Sequence, residues 1–224
     1  MNTVTRLTAA AVAAAAMGAY RRWHLTWGAT QEEVKAAMPG DELLPVARFE
    51  ATRAITLDAP PEKVWPWLVQ VGFGRAGFYS YDLLDNLGRP SATTLLPQWQ
   101  HPWPGDVAAP MTRPAIVETS FVFGPMVENE YMVWSKPNST WSWQITPLDG
   151  HRTRLVTRLR QRYQLTPALP ITVALMELAD FPMMRQMLRG IRLRAERATH
   201  DSKTFCLVSS GLPAPMVAPD PRDH

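Results

Sequence analysis

The apolar and polar positions first settle into a pattern near residue 50. Ile55 and Leu57 alternate with Thr56 and Asp58, the rhythm of a strand buried on one face. The strand breaks at Ala59-Pro60-Pro61, where proline ends a strand and suits the first turn of a helix. Val64, Trp65, Leu68 and Val69 then recur at helical spacing as one apolar face, and Glu62 favours the positive N-terminus. Gly72 and Gly74 stop this helix. Ser80 is placed to cap a second one, from Tyr81 to about Leu87, with Leu83, Leu84 and Leu87 as its apolar side.

Prolines at 90, 97, 102, 104, 110 and 114 exclude long elements from the next stretch, whose Trp99 and Trp103 suit a core cover or a lid. Strands are predicted over 116–123, 131–134 and 140–146. In the last, Trp141, Trp143 and Ile145 share one face. Asp149-Gly150 signals a hairpin into a strand over 152–165. There Thr153, Leu155, Thr157, Leu159, Gln161 and Tyr163 share one face, and Arg152, Arg154, Arg158, Arg160 and Arg162 the other. The expected sheet has a mixed inner side and a basic, solvated outer side. Residues 171–199 read as helix, with Asp180 as a cap, a kink at Pro182, and Met184, Met187, Leu188, Ile191 and Ala195 on one face. Short helices after the first strand, hairpin-linked strands and a long final helix make an α+β fold. Only the final helix is long enough to cover the sheet.

The flanks differ from this domain, placed at 49–199. Residues 1–26 are an Ala-rich apolar stretch whose first 20 residues fit three descriptions: a membrane anchor or interfacial helix, a helix solvated or packed on the domain, or a cleaved signal. The protein is expected to be cytoplasmic, attached to a membrane if this stretch serves as an anchor. Residues 27–48 form a connector, with Thr30-x-x-Glu33 as a capping box, Pro39-Gly40-Asp41 as its stop, and Val34 and Met38 seating it. Residues 200–224 carry four prolines and read as a disordered tail.

Composition adds limits. Twenty-one prolines in 224 residues favour short strands and loops over a helical bundle. A net charge of +3 does not imply nucleic acid, and no aromatics interleave with the arginine stripe to stack bases. That stripe suits either a solvated sheet face or anionic lipid headgroups. The single cysteine, Cys206, forms no internal disulfide. Gly72-Phe73-Gly74-Arg75-Ala76-Gly77 has dinucleotide-loop spacing but follows a helix instead of a strand, so it reads as a turn. The five histidines are scattered, so no metal site is expected, and no cofactor is implied. No Gly-x-Ser-x-Gly elbow is present.

The segments Ala59-Pro60-Pro61-Glu62 with Val64-Trp65, and Gly77-Phe78-Tyr79-Ser80-Tyr81-Asp82, resemble the START-related, birch-pollen-allergen-like (SRPBCC) superfamily. Trp27-Gly28-Ala29-Thr30 and Met187-Leu188-Arg189-Gly190-Ile191 are similar to a polyketide cyclase/dehydrase-like bacterial branch. The resemblance spans roughly residues 27–199. It implies a helix-grip fold, in which a curved antiparallel sheet holds the C-terminal helix and leaves a cavity between them. The implied walls are Trp141, Trp143, Leu155, Leu159 and Tyr163 from the sheet, with Met184, Met187, Leu188 and Ile191 from the helix. Trp65, Arg53, Tyr79, Tyr81 and Asp82 are the remaining ligand-binding candidates. Asp82 suits a proton acceptor or a plain first-turn acid, and the tyrosines suit orientation of a ligand. Three functions follow: binding of a small hydrophobic molecule, an aromatase/cyclase- or dehydratase-type enzyme in the same cavity, or an interaction protein whose cavity is filled by its own side chains.

Overall fold

A computed structural model of the chain describes residues 3–110, 119–163, 165 and 167–210. A helix α1 (Thr3–Leu25) and a short α2 (Gln31–Lys35) lead into β1 (Phe49–Leu57), α3 (Pro61–Val69) and α4 (Asp82–Asp85). Strands β2 (Val107–Pro110), β3 (Ser120–Val127), β4 (Tyr131–Lys136), β5 (Ser139–Pro147) and β6 (Thr153–Gln161) follow. The chain closes with α5 (Leu169–Ala174), a π-helical turn (Leu175–Ala179) and α6 (Asp180–Ser210). The sheet is fully antiparallel, in the order β1-β6-β5-β4-β3-β2. The α+β expectation is met: six strands, short helices after the first, and a long C-terminal helix.

The inner sheet face follows the period of two. Phe49, Ala51 and Leu57 of β1, Leu155 and Leu159 of β6, Trp141, Trp143 and Ile145 of β5, and Met132 and Trp134 of β4 are all buried. Met184, Met187, Leu188 and Ile191 of α6 join them in one core with Val64, Trp65 and Leu68 of α3. One contact seats α6. A Cβ on Gly190 would lie 2.2 Å from the carbonyl oxygen of Tyr79, so only glycine permits this approach. Two of the segments that carry the superfamily resemblance thus meet here.

The outer face differs from the sequence expectation. Of the five arginines in the expected stripe, Arg152 and Arg162 are exposed as predicted, but Arg154, Arg158 and Arg160 within β6 are not solvated, because the connector lies over them. Arg158 is 3% exposed and donates to Thr52 Oγ1, to Asp41 Oδ2 at 2.6 Å, and to the carbonyls of Glu33, Val34 and Ala36. It closes the C-terminal end of α2, where a cation is favoured. Arg154 pairs with Glu33, and Arg160 with Asp41 and Glu50. Arginines so engaged are not available to lipid headgroups. Met38 packs with Ala54 and Val156 beneath the connector, and the Thr30–Glu33 capping box is formed.

Three helix expectations need correction. The second short helix is a single turn, Ser80 does not cap it, and Leu83, Leu84 and Leu87 are exposed. Ser80 instead donates to the carbonyl of Met183. Asp180 is helical and buried instead of capping. The irregularity before Pro182 is the π-helical turn, since proline leaves the Leu178 carbonyl without its donor. Finally, α6 runs to Ser210, because the four prolines that suggested disorder begin only at Pro213. Residues 211–224 and part of the predicted 116–123 strand lie outside the described residues.

Residues 5–20 of α1 are exposed, and its last turn is docked. His24 is buried and Trp23 meets Phe181 edge-on at 4.9 Å. Among the described residues, no helix is long and apolar enough to cross a membrane.

Candidate ligand cavity

The gap between sheet and helix is open at one end. It encloses about 250 Å³. Its sheet wall is Phe121, Lys136, Ser139, Trp141, Leu159 and Gln161. Its helical wall is Leu175, Met176 and Ala179 of the π-helical turn, with Asp180, Met183, Met184 and Met187 of α6. Phe78, Ser80 and Asp85 close the third side. The π-helical turn matters here, since its wider backbone presents Leu175 and Met176 to the gap; such turns recur at functional sites. Four methionines make the wall adaptable, because an unbranched thioether repacks around different shapes.

Among the candidates from the sequence, Trp141, Leu159, Met184 and Met187 line this space. The others are placed elsewhere, each for a visible reason. Trp143 stacks on Trp141 at 5.2 Å and, with Leu155, Leu188, Ile191 and Trp65, fills the core behind the cavity. Tyr163 packs against that core with its hydroxyl buried and unpartnered. Tyr79 faces away: its hydroxyl accepts from Gln70, the Arg194 guanidinium lies 4.1 Å over its ring, and burial pushes its pKa up to about 12. Tyr81 is exposed, and Asp82 accepts from the backbone and hydroxyl of Ser91, fastening a loop. Gly72 and Gly77 bond to each other in the expected turn.

Arg53 points inward, as its parity requires, but serves as a strut. Its Nη1 donates to Asp180 Oδ2 at 2.6 Å and its Nε to the His24 carbonyl at 2.8 Å, both buried. It therefore ties α1 and α6 to β1 behind the cavity wall. Burial pushes the Asp180 carboxyl up, and Arg53 opposes the shift. Burial lowers the His24 pKa, and the Arg53 charge acts the same way.

Two titratable groups on the wall went unnoticed in the sequence. Asp85 stands one turn past the residue chosen there. Its Oδ1 is buried without a hydrogen-bond partner. Burial pushes this carboxyl up, the Ser80 hydroxyl pulls it back, and the Asp82 charge pushes it up again. Lys136 ends β4 on the same face as Met132 and Trp134, and burial lowers its pKa. Period-two alternation carried two residues past Trp134 would have found it. A roomier hollow of about 570 Å³ lies outside the sheet–helix gap, between Pro39, Pro61 and Tyr131.

No protein-family model matches the chain, and no curated protein sequence matches it. Solved structures similar in arrangement include a Mesorhizobium loti protein, 12% identical with a TM-score of 0.39, covering 66% of this chain and 98% of its own. A Chromobacterium violaceum protein is 12% identical with a TM-score of 0.35 over 66% of this chain and 98% of its own. A Thermus thermophilus protein is 15% identical with a TM-score of 0.36 over 67% of this chain and 99% of its own. Likeness this remote carries no argument about activity.

Proposed function

We propose that this chain is an SRPBCC-type helix-grip protein that binds a small, largely apolar molecule in the gap between its sheet and α6. The observation that carries the reading is the cavity wall itself, where Trp141, Leu159 and four methionines surround a space of about 250 Å³. A wall of this kind gains about 25 cal/mol for each Å² of apolar surface removed from water. The volume is just under the usual ligand range of about 300–1,000 Å³, so the ligand is small or only part of it enters. The exposed arm of α1 is a proposed point of attachment to a membrane surface.

A second reading, an acid–base enzyme, is supported by the unpartnered, buried oxygen of Asp85. A carboxyl pushed toward its neutral form in an apolar site is a candidate proton donor. Native mass spectrometry of the purified protein tests the binding reading, followed by extraction of whatever it carries. A discrete non-covalent adduct supports it. A bare protein that also takes up no apolar probe leaves the cavity a packing defect. Turnover that Asp85→Asn abolishes without loss of binding would favour the enzyme.

A further inference from the structure

We propose that the molecule held in this cavity carries a carboxylate, and that Lys136 receives it. The inference rests on the binding reading above and adds the chemistry of the ligand. Lys136 pairs across the sheet with Ser139, at the hairpin end of β4, on the face that otherwise carries Met132 and Trp134. Alternation calls for an apolar residue at this position. A cation drawn into an apolar wall is costly unless something pairs with it.

Its ammonium lies 4.7 Å over the Phe121 ring, on the cavity wall. None of the ion pairs among the described residues involves it. Burial lowers its pKa, as expected of an ammonium drawn against an apolar wall. Except for Asp85, the other polar groups on the wall have partners within the protein. Asp180 is held by Arg53. The Ser139 hydroxyl donates to the Arg160 carbonyl, and the Gln161 amide to the Arg162 carbonyl. Asp85 keeps one buried oxygen without a hydrogen-bond partner, and as a carboxyl it offers an anion no cationic donor. Lys136 is left as the cationic donor of the cavity.

Size narrows the ligand further. The space of about 250 Å³ is roughly eight times the 30 Å³ share of one liquid water, room for a chain of about eight carbons. The ligand is thus a short amphiphile, with a carboxylate at the Lys136 end and an apolar body against Met176, Met184 and Met187.

Isothermal titration calorimetry at pH 7 tests this, using the full chain freed of co-purified material, with octanoate and octan-1-ol as probes. A charge-assisted hydrogen bond predicts octanoate binding about tenfold or more tighter than octanol. Lys136→Met is expected to erase that preference by weakening octanoate about tenfold while leaving octanol unchanged, and Lys136→Arg to retain it. Equal affinities in the wild type, or an intact preference in Lys136→Met, overturn the carboxylate assignment and leave the cavity reading standing. Binding of neither probe overturns both. The comparison of the two probes on the wild type requires no variant to fold.

Discussion

Replacing Arg158 with alanine tests whether the connector is part of the fold. The guanidinium is 3% exposed and makes five hydrogen bonds, to Thr52, Asp41 and three carbonyls at the end of α2. Removing one member of a buried ion pair costs about 3–5 kcal/mol, mainly by stranding the other. Asp41 is not wholly stranded, since Arg160 Nη1 stays 3.0 Å away and the Met38 amide still donates to it. The lower end of that range, about 3 kcal/mol, is therefore expected. For a chain of this size each kcal/mol moves the melting temperature by about 2–4 °C, so the midpoint should fall by roughly 6–12 °C. Thermal unfolding followed by circular dichroism measures this, with exposed Arg162→Ala as the control, expected within about 0.5 kcal/mol of the wild type. A loss for Arg158→Ala below about 1 kcal/mol, the size of an exposed pair, would refute the docking of the connector.

Gly190→Ala should destabilise by about 1–3 kcal/mol in urea titration, because its methyl would sit 2.2 Å from the Tyr79 carbonyl oxygen; an unchanged midpoint would mean α6 does not cross there. His24 has its pKa lowered, by burial first and then by Arg53, against the opposing charges of Glu177 and Asp180. The unfolded chain then binds the proton more readily, so the stability His24 contributes is complete above about pH 6.5 and is lost as pH falls below it. The stability difference between wild type and His24→Gln, measured by urea titration from pH 8 to pH 5, should accordingly narrow toward low pH, and a constant difference would contradict this.

The inner sheet face was legible because it obeys one local rule. Trp141, Trp143, Leu155 and Leu159 alternate in sequence and are buried together. The outer face misled for the same reason. Alternation marks Arg158 as polar but does not say what covers it, and its partners lie more than a hundred residues upstream. Asp180 misled similarly, since a helix-capping acid and one half of a buried pair with Arg53 look alike before the chain folds. Much of the cavity was unread because it forms at an irregularity. The π-helical turn brings Leu175 and Met176 to the gap, and Lys136 is reached only by running β4 to its end. Trp143, Leu155 and Ile191 were legible as inner residues, yet sequence cannot divide the inner residues that fill from those that line.

The most direct measurement compares native mass spectra of the wild type and Leu159→Trp. Leu159 faces the cavity from β6 and is 7% exposed, so an indole there grows into the open space. The account predicts a bound small molecule on the wild type and none on the variant, with circular dichroism unchanged. Equal occupancy of the two proteins would contradict it, as would a wild type that never acquires a ligand when offered short apolar acids and alcohols.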